Sequence, residues 1–170
     1  SLVTNNQVYQ YNNHGIRVDN GDELVGTSVT NITITNNTVA SPGNINTDFN
    51  GIHLNNGTVA ATDDFTACID IRQNTVTGSG SGGVYPNNAE IRLRQRQTTT
   101  VVLPGFLGNN DQDCNAIAFV AGGNTVGNSG AGSCTNGTPN PPTRNAAATT
   151  QNATSTTRGF EGGPACTQPN

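Results

Sequence analysis

Six short phrases of the form apolar–x–apolar recur along the first two thirds of this chain, and they limit its fold more than any other feature. They are Ile16-Arg17-Val18, Ile32-Thr33-Ile34, Ile52-His53-Leu54, Ile69-Asp70-Ile71, Ile91-Arg92-Leu93 and Ile117-Ala118-Phe119. Their first residues stand 16, 20, 17, 22 and 26 positions apart. In extended backbone successive side chains point to opposite faces, so each phrase sets two apolar groups on one side and its middle residue on the other. Two apolar side chains cannot bury themselves. Stacking like units about 4.8 Å apart turns them into continuous aliphatic columns and pairs every backbone group.

A second phrase follows at a near-fixed offset. Val39, Val59 and Val76 lie five residues after Ile34, Leu54 and Ile71, each preceded by Thr. Asn stands before the Thr at Asn37, Asn74 and Asn124, and Asn56-Gly57-Thr58-Val59 is the same phrase with one Gly inserted. Asn enters the left-handed region at low cost and can stack its amide on the Asn of the next layer. A period near 20 residues with no intervening helix predicts an all-β solenoid of about six rungs over residues 1–127. The rival is an antiparallel sandwich, which wants NG or DG hairpins between paired strands. Here Asn20-Gly21 and Asn56-Gly57 fall at corners instead.

Composition agrees with this reading. The chain lacks Lys, Met and Trp, and charged residues make up 11% of it, less than in an ordinary globular enzyme. A net charge of -4 argues against nucleic acid, because a binder needs a cationic track. No apolar run is long enough to span a bilayer, and no motif calls for a cofactor. A start at Ser1 without Met predicts a longer parent.

With these phrases the chain resembles right-handed parallel β-helix repeat proteins of bacteria, broadly the pectate-lyase-like architecture. The resemblance covers about residues 14–127 and rests on Gly51-Ile52-His53-Leu54-Asn55-Asn56 and Ile69-Asp70-Ile71-Arg72-Gln73-Asn74-Thr75-Val76. The stretch from Ile91 through Arg96 and Leu103-Pro104-Gly105-Phe106, with the closing Cys-Thr-Gln-Pro, is similar to the C-terminal region of large bacterial secreted or surface proteins. The resemblance implies a fold and specifies no activity.

Residues 128–170 are Gly, Thr, Asn, Pro and Ala with one Phe, too little to fill a core, and read as a coil-rich tail or cap. Cys68, Cys114, Cys134 and Cys166 form an even set without CxxC spacing or clustered His, which favours disulfides over zinc, with buried free thiols as the alternative. Bracketing of the tail predicts the pairs Cys68–Cys114 and Cys134–Cys166.

Aligning the phrases predicts an outward column of Arg17, Thr33, His53, Asp70, Arg92 and Ala118. Its members His53, Asp70 and Arg92 are the best catalytic candidates. In the β-helix polysaccharide lyases an Arg or Lys is the base and acidic residues hold calcium; this column offers one Asp. A solvated charge ladder explains the same residues without catalysis. Asp19, Asp22, Asp111 and Asp113 are weak calcium candidates in acidic turns that match no known calcium-loop spacing. The sequons at Asn31, Asn36, Asn56, Asn136 and Asn152 occur at the frequency chance gives. A Thr-x-Thr ice-binding ladder has only Thr33-Ile34-Thr35.

Two functions remain as expectations. One is an extracellular, cell-surface or matrix module, structural or adhesive and not an enzyme, whose partners are further rungs or other copies assembling head to tail into filaments. The other is a β-helix that binds or cleaves acidic polysaccharide. Scarce aromatics favour the first, since sugars are commonly stacked on Trp or Tyr.

Overall fold

The computed structural model describes residues 1–21, 27–43, 50–57, 64–79, 89–96, 98–108, 114–127, 146–153 and 159–167, the last stretch of strand (146–153) through its backbone alone. The strands are β1 (Leu2–Thr4), β2 (Gln7–Tyr9), β3 (His14–Asn20), β4 (Thr27–Thr35), β5 (Thr38–Ala40), β6 (Asn50–Asn56), β7 (Asp64–Arg72), β8 (Thr75–Thr77), β9 (Ala89–Arg96) and β10 (Thr100–Pro104). Helix α1 (Cys114–Gly123) follows, then β11 (Thr125–Val126), β12 (Ala146–Ala153) and β13 (Phe160–Gly163).

Among the described residues all strand pairing is parallel, in three sheets that the chain visits in rotation. Sheet A is ordered β1-β4-β7-β10-β13, sheet B β2-β5-β8-β11 and sheet C β3-β6-β9-β12. One circuit therefore takes a long strand, a three-residue strand and another long strand before the chain returns to sheet A one layer further on. This all-β arrangement is compatible with a β-solenoid.

The circuit corrects the expected six rungs. Ile16, Ile52 and Ile91 stack in sheet C, 36 and 39 residues apart, whereas Ile32 stacks on Ile69 in sheet A, 37 residues on. Each circuit holds two apolar–x–apolar phrases on different sheets, so the apparent period was half the real one.

Side chains from all three sheets meet in one core. Ile34, Val39, Ile52, Leu54, Ile69, Val76, Ile91, Leu93, Leu103 and Phe160 are essentially inaccessible. Each such side chain contributes about 1.5–3 kcal/mol relative to an exposed one. Ile117-Ala118-Phe119, expected as a sixth strand phrase, lies in α1 instead. Ala116 and Val120, four apart and both buried, are its inward face, and three of its ten residues are Ala, the best helix former.

The tail also departs from its reading as coil. β12 pairs in register with β9, and β13 with β10, so the sheets continue past residue 127. Phe160, the tail's single Phe, is fully buried and supplies the core for that layer. Cys68 is bonded to Cys166, not to Cys114, which excludes both expected pairs. The circuit explains why: β13 must land on sheet A, two strands from β7, and that carries Cys166 to Cys68. Cys134 and the side chain of Cys114 lie outside the described residues.

Candidate functional site

Register decides which outward residues share a face. Arg17, His53 and Arg92 are partners across β3, β6 and β9, and Asp19, Asn55 and Arg94 form the next row. Asp70 is a partner of Thr33 on sheet A, where it meets Arg72 at 2.9 Å. The expected column of Arg17, Thr33, His53, Asp70 and Arg92 is thus two columns on two sheets. The structure keeps His53 and Arg92 together and removes Asp70 from them. Ala118 belongs to α1 and to neither column.

The outer face of sheet C is an arginine-rich concavity of about 250 Å³, lined by Asn13, His14, Arg17, His53, Asn55, Arg92, Arg94 and Arg96. Strand alternation puts Arg92, Arg94 and Arg96 on one side of β9, with Cα spacings of about 6.6 Å, while Ile91 and Leu93 face the core. Three cations on one face of one strand repel one another. Arg92 is only 4% exposed and His53 6%, so water screens them poorly. Asp19 offsets part of the charge by accepting two hydrogen bonds from Arg17, at 2.6 and 2.9 Å.

Hydrogen bonding fixes the histidine tautomers. Asn50 Oδ1 accepts from the Ala89 backbone N–H at 3.0 Å, which orients the amide so that Nδ2 donates to His14 Nδ1 at 3.4 Å. A neutral His14 then carries its proton on Nε2 and donates to His53 Nδ1 at 3.2 Å. His53 in turn carries its proton on Nε2. That nitrogen is buried and has no hydrogen-bond partner among the described residues. Both rings are neutral at physiological pH: burial foremost, then Arg92 and other cations, pushes His53 down to about 2, and burial followed by Arg17 and Arg92 pushes His14 down to about 4. The face therefore offers donors almost throughout.

The remaining candidates are placed as follows. Asp19 is taken by Arg17, and Asp22, Asp111 and Asp113 lie outside the described residues. Among the described residues no three His, Cys, Asp or Glu side chains come together as a metal would require. Asn56 is buried and its amide is engaged, with Nδ2 donating to Thr100 O at 2.8 Å, so this sequon is closed to a glycan. Asn36 is exposed at a corner with φ 57°, Asn31 is half-buried in β4, and Asn136 and the Asn152 side chain lie outside the described residues. A second cavity, about 290 Å³, opens between sheet A and α1, lined mainly by apolar groups with Asp70 and Arg72 at its edge. No described helix is long and apolar enough to cross a membrane.

Sequence reasoning named Arg92 and His53 and set Arg94 in an adjoining outward column, but missed Arg96 and His14 as their neighbours. The alternating Arg92-Leu93-Arg94-Gln95-Arg96 was the available signal, since three cations at strand spacing must share a face. No protein-family model matches the chain, and no curated protein or solved structure matches it significantly.

Proposed function

We propose that the chain is a rigid, non-catalytic segment of a right-handed parallel β-helix, an extracellular structural or adhesive module whose N-terminal face receives a further circuit of the same kind. One observation carries this reading: the asparagine ladder at the sheet A to sheet B corner has a direction. Asn6, Asn37 and Asn74 each donate from backbone N and from Nδ2 to Oδ1 of the next Asn, ending on Asn124, with all six distances between 2.9 and 3.0 Å.

At the far end the donors are spent. Asn124 Nδ2 donates to Ile71 O at 3.1 Å and Val120 O at 2.8 Å, and its backbone N to Ala121 O at 3.3 Å, so α1 seals the ladder. At the near end Asn6 is exposed and its Oδ1 has no partner among the described residues. Leu2 (60% exposed) and Tyr9 flank it on the edge strands β1 and β2. An incoming circuit with an Asn at this corner supplies the two missing donors and covers those side chains. A second copy of this chain, presenting its sealed end, supplies neither. The reading thus favours an added circuit over head-to-tail filaments.

Sedimentation and electron microscopy test it. The chain should remain dispersed at high concentration, with Tyr9 and Leu2 accessible to labelling or limited proteolysis. Ordered filaments joined end to end would contradict it. So would depolymerisation of an acidic polysaccharide that is lost in Arg92→Ala.

A further inference from the structure

We propose that the concavity on the outer face of sheet C is a binding site for an oxyanion (a carboxylate, sulfate or phosphate group), held by Arg92, Arg94 and Arg96 and by the Nε2–H of His53. The proposal does not depend on the stacking reading; it rests on the arrangement of donors on one face.

Three features support it together. First, the described lining of the cavity contains four guanidiniums and no carboxylate, in a chain whose net charge is -4. Acidic residues outnumber basic ones overall, yet the basic ones converge here. Guanidinium forks suit oxyanions because they offer paired N–H groups in a plane. Second, the relay from Asn50 through His14 leaves a buried His53 Nε2–H without a partner among the described residues, and a buried donor of this kind costs stability until something accepts from it. Third, Arg92 and His53 are more than nine-tenths buried at the floor of the cavity, where low dielectric strengthens any charge-assisted hydrogen bond. The described lining has the amide oxygens of Asn13 and Asn55 as acceptors but no carboxylate to hold a cation against the guanidiniums. The cavity, about 250 Å³, takes an inorganic oxyanion or the acidic group of one sugar-sized residue.

Calorimetric titration of the whole protein at pH 7.5 decides the matter, with sodium sulfate, sodium phosphate and sodium glucuronate as probes against a sodium chloride control of matched ionic strength. At least one probe should bind saturably at one site, and the preferred one identifies whether the natural group is tetrahedral or a carboxylate. Nitrogen NMR of His53 should show Nε2 protonated in the free protein and shifted on binding. R92Q should weaken binding at least tenfold. If R92Q fails to fold, R94Q and R96Q serve, since those side chains are only half-buried. R72Q, on sheet A and largely exposed, should leave affinity within twofold. No binding beyond chloride for all three probes would overturn the site. An R72Q loss equal to that of the sheet C variants would do so too, because general electrostatics would then explain the affinity.

Discussion

Oδ1 of Asn74 accepts twice from Asn37, from its backbone N at 3.0 Å and from its Nδ2 at 2.9 Å. Asn74 then repeats the pattern on Asn124, while its own Nδ2 also reaches Ile34 O at 2.8 Å and Arg72 O at 3.1 Å. One fully buried side chain thereby satisfies backbone groups in two successive layers and a side-chain amide in a third. Buried polar groups left unsatisfied cost about 1–3 kcal/mol each. Asn74→Ala should destabilise by about 3 kcal/mol in urea unfolding, and Asn74→Asp by at least as much, because a carboxylate cannot donate to the two carbonyls. Asn6→Ala, at the exposed end of the same ladder, should cost less than about 1 kcal/mol.

Glycines mark where sheets B and C approach most closely. A Cβ on Gly51 would sit 2.2 Å from Val76 Cγ1 and 2.8 Å from Glu90 O, and one on Gly15 would meet Val39 Cγ1 at 2.3 Å. These contacts repeat from layer to layer, so a methyl group must displace a buried valine or a strand. Gly51→Ala should cost more than about 2 kcal/mol by overpacking. Gly122 in α1 has nothing within 4 Å of its virtual Cβ, and Gly122→Ala should be neutral or stabilising by up to about 1 kcal/mol. Thermal unfolding of both variants distinguishes them.

Much of this was legible in the sequence. Ile52/Leu54, Ile69/Ile71 and Ile91/Leu93 face the core as alternation demanded, and the Asn before each Thr-Val phrase forms the ladder. The left-handed residue, however, is the one before it: Asn5, Asn36 and Gln73 have φ near 57–59°, while the ladder Asn does the stacking. Asn56 looked like a ladder member and belongs to another corner, where it accepts from Asn20 at 2.8 Å; Thr58 and Val59 lie outside the described residues. What failed was anything set by the length of a circuit. Two similar phrases per circuit halved the period, which in turn placed Asp70 beside His53 and Arg92. The Cys68 partner was hidden for the same reason, since it depends on where the chain next returns to sheet A.

The Cys68–Cys166 bond spans 98 residues and ties the segment after β13 to β7. By loop entropy such a crosslink is worth about 4–5 kcal/mol. Non-reducing peptide mapping should recover a Cys68–Cys166 peptide. In Cys166→Ser the amides of Phe160–Gly163 should exchange much faster than those of β7. Recovery of Cys68–Cys114 instead would contradict the assignment.

The paired histidines give the fold an acid sensitivity of known sign. His14 and His53 titrate at about 4 and about 2 when folded, because burial opposes their charged forms first of all. Unfolded, both titrate near the ordinary value of about 6.5. Between those values the unfolded chain holds more protons, so stability is complete above about pH 6.5 and falls as the pH drops toward the folded values. For buried His53 the loss at pH 5.5 is on the order of 1 kcal/mol, and His14 adds to it with the same sign. Urea titrations in chloride at pH 7.5 and 5.5 should show that loss, and His53→Gln should reduce it.

If the N-terminal face accepts a further circuit through the ladder, a duplicated circuit should dock there. A copy of residues 27–63 is placed ahead of Ser1, and amide exchange of Gln7–Tyr9 is compared with that in the parent chain. Exchange at those amides should slow at least tenfold, and the melting temperature should rise. Both effects should be lost when the duplicate's equivalent of Asn37 is changed to Asp. Unchanged exchange, with the duplicate itself unprotected, would contradict the claim.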